Sequence, residues 1–175
     1  MHLPRGARII DVGCGAGFPS LPIAILRPDI TVLAIDSTGK KVNYVADTAK
    51  ELGLTNLSTA VLRAEDGARD ASLRESFDVA TARAVADLRI LAELCLPFVR
   101  VGGQMLAMKG AKAAYELQDA KRALAMLGGR DARLLDVRLV GADEPIHHPL
   151  IFISKGTKTP AIYPRPYAQI SKKPL

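Results

Sequence analysis

The chain has 175 residues, 49% hydrophobic and 24% charged, a length that allows one domain with a full hydrophobic core and leaves little room for a second. No apolar run approaches the roughly 18 residues of a membrane helix, and no charged and apolar leader opens the chain, so we expect a cytoplasmic protein with no membrane partner. The net charge of +6 makes a polyanion the first partner to consider, because Lys and Arg displace counterions from phosphates.

Apolar segments of strand length alternate with helical patterns through most of the chain, which predicts βαβ units around a parallel sheet. Five strands are predicted over 8–12, 31–35, 57–62, 77–81 and 104–108. Helices are predicted over 19–26, 40–52, 87–100 and 111–127, with a weaker helical turn over 67–74. Gly53 and the pair Gly102-Gly103 are expected to stop helices.

The pattern changes after Gly128-Gly129, where no helix separates the apolar segments. Two strands over 133–140 and 150–154 are predicted to form an antiparallel hairpin. The remaining residues, 156–175, contain prolines and basic residues but no acidic one. This composition predicts an extended tail that docks on the preceding domain, residues 1–155, without secondary structure of its own.

A glycine-rich segment, Asp11-Val12-Gly13-Cys14-Gly15-Ala16-Gly17-Phe18, lies between the first predicted strand and the first predicted helix. Glycines there let the backbone turn tightly and approach a ligand, because no Cβ intervenes. A dinucleotide site needs Gly-x-Gly-x-x-Gly, but Phe18 or Ser20 stands at the third position, depending on which glycine begins the motif. The spacing instead resembles the first motif of S-adenosylmethionine-dependent methyltransferases, and a glycine turn that binds nothing is the alternative.

Polar residues follow the next three predicted strands, at the sheet edge where open α/β folds bind ligands. Asp36 is predicted to accept hydrogen bonds from ribose hydroxyls or, alternatively, to cap the next helix. Ala64 and Glu65 could meet an adenine ring, with a solvated acidic loop as the alternative. Arg83 is predicted at the point of methyl transfer, with a surface ion pair as the alternative.

Residues 81–85 and the two cysteines also argue against two kinds of base methylation. Residues 81–85 lack the Asn/Asp-Pro-Pro-aromatic motif of enzymes that methylate exocyclic base amines. Cys14 and Cys95, in the glycine loop and an apolar helical pattern, are not predicted as the nucleophile that pyrimidine-carbon methylation requires. A ring nitrogen such as guanine N7 has a free lone pair and needs alignment rather than a general base. We predict no metal, because Cys/His ligand spacing is lacking and adjacent strand residues such as His147 and His148 point to opposite faces.

Several segments together resemble the bacterial ribosomal RNA small-subunit methyltransferase G family, also called glucose-inhibited division protein B. They are residues 11–22, 36–41, 63–65, 81–84, 107–110 and 163–175. The resemblance covers nearly the whole chain and includes Gly-Phe-Pro after the glycine loop and the terminal Lys-Lys-Pro-Leu. It agrees with the predicted fold, an α/β Rossmann-like class I S-adenosylmethionine-dependent methyltransferase with a mostly parallel seven-stranded sheet and a C-terminal antiparallel hairpin.

The resemblance implies methyl transfer from S-adenosylmethionine to N7 of a guanine in 16S ribosomal RNA, with S-adenosylhomocysteine as product. The implied cofactor contacts are Gly13, Gly15, Gly17, Phe18, Asp36, Ala64, Glu65 and Arg83. Arg83 is also the catalytic candidate, and the basic residues Lys109, Arg165, Lys172 and Lys173 are candidates for the RNA face. We expect a monomer that meets 16S RNA or the small ribosomal subunit. Methylation of a protein or small molecule, or RNA binding without catalysis, remain alternatives.

Overall fold

The computed structural model describes residues 3–83, 86–139 and 146–175. Its sheet has seven strands in the order β3-β2-β1-β4-β5-β7-β6. The strands are β1 (Arg8–Val12), β2 (Thr31–Asp36), β3 (Leu57–Val61), β4 (Phe77–Arg83), β5 (Val99–Met108), β6 (Gly129–Leu139) and β7 (Ile146–Lys155). The first five run parallel, and β7 pairs antiparallel with both β5 and β6. The predicted mostly parallel sheet with a C-terminal antiparallel hairpin is therefore confirmed, although residue 140 of the hairpin prediction lies outside the described residues.

Helices cover both faces of this sheet. They are α1 (Ser20–Leu26), α2 (Gly39–Glu51), α3 (Ala64–Gly67), α4 (Leu88–Cys95), α5 (Ala113–Asp119), α6 (Lys121–Met126) and α7 (Tyr167–Lys172). Successive strand residues point to opposite faces, so Ile9 of β1 packs with Ala24 of α1 while Ile10 packs with Leu91 of α4. The central strands β1 and β4 are thus mostly buried between two helical layers, whereas Leu134 and Leu135 of β6 are exposed.

Two long helix predictions were wrong in their bounds. The helix predicted over 87–100 ends at Cys95, and a 3-10 turn containing Pro97 leads directly into β5, because proline lacks the amide that would continue the helix. The helix predicted over 111–127 divides at the fully buried Ala120, whose ψ of −5° departs from helical geometry. The weak helical turn predicted over 67–74 is confirmed, because the Asp70 amide donates to the Gly67 carbonyl at 3.1 Å and the Arg74 amide to the Asp70 carbonyl at 2.8 Å. The short helix α3 precedes this turn and begins after the extended residue Arg63.

Gly53 and Gly102-Gly103 have different roles, although both were predicted to stop helices. Gly53 follows α2 with a φ of +68°, as expected of a helix C-terminus. Gly102 and Gly103 instead lie inside β5, beside an irregularity in its pairing with β4. A Cβ on Gly103 would collide with the carbonyl oxygen of Asp78, so these glycines permit close strand approach rather than a helix end.

The tail, residues 156–175, packs on the rest of the molecule through buried polar contacts. The Arg74 guanidinium donates to the carbonyl oxygens of Tyr163 and Thr159, both at 2.9 Å. The tail was predicted to have no secondary structure, but it contains α7, because Pro166 stands at the N-cap instead of interrupting the helix. The division of the chain at residue 155 stays a prediction.

Lys155 lies at the junction between β7 and the tail and is fully buried. Its ammonium donates to the Leu96 carbonyl at 2.7 Å and to the Thr159 hydroxyl, and it lies 3.7 Å from the Glu75 carboxylate. Burial lowers the pKa of Lys155 to about 8, and the nearby Glu75 opposes that effect. These partners join the tail to the 3-10 turn after α4.

Candidate functional site

A cavity of about 490 Å³ opens where the carboxyl ends of β1, β2, β3 and β4 meet. This volume lies within the range of about 300–1,000 Å³ that small-molecule sites occupy. Its lining includes the predicted cofactor residues Gly13, Gly15, Asp36, Ala64, Glu65 and Arg83. Residues from separate strand ends thus meet at one site, as the parallel topology predicts.

The glycine loop brings its backbone against the end of β2. The amides of Gly13 and Cys14 both donate to the Ile35 carbonyl at 2.9 Å, and the Gly15 amide donates to the Asp36 carboxylate at 3.2 Å. Gly15 has a φ of +56°, a left-handed conformation that glycine adopts at little cost. The loop is therefore folded around the aspartate that the sequence predicted beside it.

Gly17 and Phe18 do not line the cavity, although both were predicted to contact the cofactor. Gly17 faces the helices, where an added Cβ would collide with the Leu21 side chain. Phe18 is 49% exposed, and the Arg83 guanidinium lies over its ring at 5.4 Å. Phe18 therefore reaches the site through a cation–π contact with Arg83.

Asp36 is almost buried and has fixed hydrogen-bond partners. One carboxylate oxygen accepts from the Thr38 amide at 2.9 Å, and the other accepts from Gly15 and lies 3.6 Å from the Lys41 ammonium. Burial opposes ionisation, but the hydrogen bonds from Thr38 and Gly15 prevail and lower the pKa of Asp36. The carboxylate is therefore ionised at neutral pH and still has acceptor capacity facing the cavity. Its hydrogen bond goes to the turn before α2, so it is not the helix cap that the sequence left as an alternative.

Asp11, which opens the glycine motif, lies beneath the loop rather than in the cavity and is 1% exposed. Its carboxylate accepts from the Thr81 hydroxyl at 3.0 Å and from the Ser20 amide at 3.3 Å. Burial raises the pKa of Asp11, and the hydrogen bonds from Thr81 and Ser20 oppose the rise. Asp11 thus joins β1, β4 and α1 and positions the loop.

The mouth of the cavity is cationic. Lys41, Arg63 and Arg83 all line it, and the Lys41 and Arg63 side chains are 53% and 60% exposed. Arg63 lies 3.7 Å from the Glu65 carboxylate, a loose pair that leaves both groups available. The sequence analysis did not predict Lys41 and Arg63 as site residues. In the structure they lie close to the predicted contacts Asp36 and Glu65, respectively.

The four predicted RNA residues divide into two groups. The Lys109 side chain is 7% exposed, and its ammonium pairs with the Glu116 carboxylate at 2.7 Å. Arg165 binds the fully buried Glu93 through two guanidinium nitrogens. Both cations therefore have structural partners, which the sequence prediction did not anticipate. Lys172 and Lys173 are exposed at the end of α7 and line a shallow groove.

Both cysteines are free and buried. Burial raises the pKa of Cys14 to about 12, assisted by the carboxylates of Asp11 and Asp36, and burial also raises the pKa of Cys95. Neither thiol is therefore ionised at neutral pH, so neither can serve as a thiolate nucleophile.

The described ranges 3–83, 86–139 and 146–175 contain neither a candidate metal site nor a candidate membrane span. No group of three or more His, Cys, Asp or Glu side chains there could hold a metal ion. No helix within them is both long enough and apolar enough to cross a membrane. The side chain of His147, part of the His147-His148 pair, lies outside the described residues.

The strand order, the glycine loop and the buried aspartate at the end of β2 define a class I S-adenosylmethionine-dependent methyltransferase. A solved precorrin-6y C5,15-methyltransferase from Geobacter metallireducens has this fold, with a TM-score of 0.68 at 15% identity over 89% of this chain and 83% of that one. The model of the family rRNA small subunit methyltransferase G matches residues 1–140, and the chain belongs to that family. The predicted resemblance is therefore confirmed.

Two relatives show how far the similarity extends. Ribosomal RNA small subunit methyltransferase G of Clostridium perfringens is 46% identical over 171 residues, which are 98% of this chain and 71% of that one. The protein of the same name from Lactobacillus delbrueckii subsp. bulgaricus is also 46% identical, with the same coverage. The match includes the glycine loop, the cationic mouth and nearly all of the tail.

Proposed function

We propose that this chain transfers a methyl group from S-adenosylmethionine to N7 of a guanine in 16S ribosomal RNA. Family membership supports methylation of ribosomal RNA in the small subunit. The observation that carries the cofactor assignment is the ionised, almost buried Asp36, held against the glycine loop in a cavity of suitable size.

The residues present fit S-adenosylmethionine. Both acidic residues line the cavity, where Asp36 would accept hydrogen bonds from the ribose hydroxyls and Glu65 would accept one from the adenine amino group. The backbone of Gly13 and Gly15 leaves space for the amino-acid portion. When bound, the cofactor supplies a methyl group on a positively charged sulfur.

Guanine N7 suits this site because it bears a free lone pair and loses no proton on methylation. The chain therefore needs to align the base and exclude water rather than remove a proton. Arg83 lies at the end of β4 with its guanidinium over the Phe18 ring, and it would donate a hydrogen bond to guanine O6 and leave N7 unblocked. We assign Arg83 to base positioning on this ground.

Methylation of unmodified small ribosomal subunits by the full chain tests this proposal. We expect labelled methyl groups to appear in 16S RNA as 7-methylguanosine, identified after nucleoside digestion, and the rate to fall steeply with added salt. Subunits that already carry the modification are the matched control and should accept little label. Label recovered at another guanine atom, or only in protein, would contradict the proposal.

The exposed lysines of α7 are expected to contribute to RNA affinity. The double variant Lys172→Gln/Lys173→Gln should weaken RNA binding about tenfold at moderate salt and reduce the slope of log Kd against log salt by about 1–2, because two phosphate contacts are lost. S-adenosylhomocysteine affinity should not change. The matched control is Lys121→Gln/Arg122→Gln on α6, which removes two exposed cations away from the cavity and groove. Equal losses in both variants, measured by fluorescence anisotropy, would show that α7 has no special role.

A further inference from the structure

The tail helix α7 brings one aromatic side chain, Tyr167, to the cavity that also contains Asp36 and Glu65. We propose that Tyr167 forms a wall against which the adenosyl group of S-adenosylmethionine packs, an inference that rests on the proposed function. Tyr167 lies in the tail, far from the glycine motif in sequence, so that motif does not predict it as a cavity residue.

Tyr167 is held in place by its neighbours in the tail. Two residues earlier, the Arg165 amide donates to the Glu93 carboxylate of α4 at 2.8 Å, and the Arg165 guanidinium donates to it at 2.6 Å. Ile170 of the same helix is fully buried. The Tyr167 side chain nevertheless remains 42% exposed, so it is ordered by the fold and still accessible to a ligand.

The tail reaches the cavity near Glu65, the proposed contact of the adenine ring, rather than near Arg83, the proposed position of methyl transfer. Arg69, just after α3, donates to the Pro164 carbonyl at 2.6 Å, and α4 contacts both α3 and α7. The start of α7 is therefore close to α3, which contains Glu65. Arg83 stands two strands from β2 in the sheet order, at the end of β4.

The lining on the adenine side has the chemistry of a purine subsite. Leu62 and Leu94 provide apolar surface in the same cavity as the Tyr167 ring, and the Glu65 carboxylate provides an acceptor at 11% exposure. Adenine has apolar π faces and a polar amino edge, so it can use both kinds of surface at once.

Calorimetric titration of S-adenosylhomocysteine and of adenosine into the full chain tests this inference. Tyr167→Ala should weaken both ligands by a similar factor, roughly tenfold, because both contain the adenosyl group that loses its stacking surface. Tyr167→Phe should stay within about twofold of the unmodified chain, since it keeps the ring. The matched control is Tyr115→Ala on α5, which removes a tyrosine that is 72% exposed and does not line the cavity.

Thermal unfolding distinguishes removal of the Tyr167 ring from undocking of the tail. Tyr167→Ala should unfold at the same temperature as Tyr115→Ala, because neither ring is part of the core. A much lower unfolding temperature for Tyr167→Ala would overturn the inference. Unchanged affinity for S-adenosylhomocysteine with a raised KM for small subunits would place the ring against RNA and also overturn it. If the unmodified chain binds no S-adenosylhomocysteine, the proposed function itself fails, whereas binding that is insensitive to Tyr167 refutes only this inference.

Discussion

Asp36→Asn is expected to weaken S-adenosylhomocysteine binding about 100-fold or more, because hydrogen bonds to a charged acceptor contribute about 1.5–3 kcal/mol each and two ribose hydroxyls are involved. Asparagine keeps the size of the side chain but presents an NH₂ group where Asp36 presents only acceptors. That group would face the donor amides of Gly15 or Thr38 and disturb the loop as well. Calorimetric titration of S-adenosylhomocysteine measures the change directly.

The control for this variant is Asp78→Asn, which alters a comparably hydrogen-bonded carboxylate at the amino ends of the parallel strands. Asp78 lies near the start of β4 and accepts from the Arg8 amide and the Arg100 guanidinium, both at 2.7 Å. Its replacement should lower stability and leave ligand affinity unchanged, because it is remote from the cavity. Equal effects of Asp36→Asn and Asp78→Asn on ligand affinity would refute the ribose-binding role of Asp36.

The features predicted well from the sequence are those that consecutive residues determine. A buried parallel strand appears as a short apolar run, and the loop after β1 contains its glycines, its turn and its contact surface within a few positions. Asp36 could be placed beside that loop because adjacent parallel strands end at the same edge. The strand order beyond these neighbours required the structure.

The cationic residues show where sequence reasoning reaches its limit. Lys109 and Arg165 are as basic as Lys172 and Lys173 in the sequence, but Glu116 and Glu93 neutralise them in the fold. A charged residue gives no local signal of whether a carboxylate from another element will meet it. The contribution of the tail to the cavity is hidden for the same reason, since it depends on how α7 packs on α4.

The pair between Glu93 and Arg165 connects the tail to a fully buried carboxylate of α4. Glu93 is fully buried and accepts from the main-chain amide, Nε and Nη2 of Arg165, whose side chain is 22% exposed. The side-chain hydrogen bonds to Glu93 raise the pKa of Arg165, so its guanidinium remains charged. Loss of Glu93 would leave the guanidinium and an amide without their acceptor.

Glu93→Ala is therefore expected to lower the free energy of unfolding by about 3 kcal/mol, because removing one partner of a buried pair strands the other. Urea unfolding measures the loss, and Asp29→Asn is the matched control. Arg27 and Asp29 form a pair with the same two-pronged geometry, at 2.7 Å for both bonds, but roughly a third of each side chain is exposed. Because water already solvates that pair, its loss should cost far less.

The Glu93→Ala variant should also weaken S-adenosylhomocysteine binding, because α7 carries Tyr167 and is fixed to α4 through this pair. The binding loss should not exceed that of Tyr167→Ala, since undocking α7 removes the same wall. A variant that loses stability but binds the ligand normally would show that α7 is held to the cavity by Ile170 and the remaining tail contacts instead. Stability and ligand affinity measured on the same sample therefore separate anchoring of the tail from construction of the cofactor site.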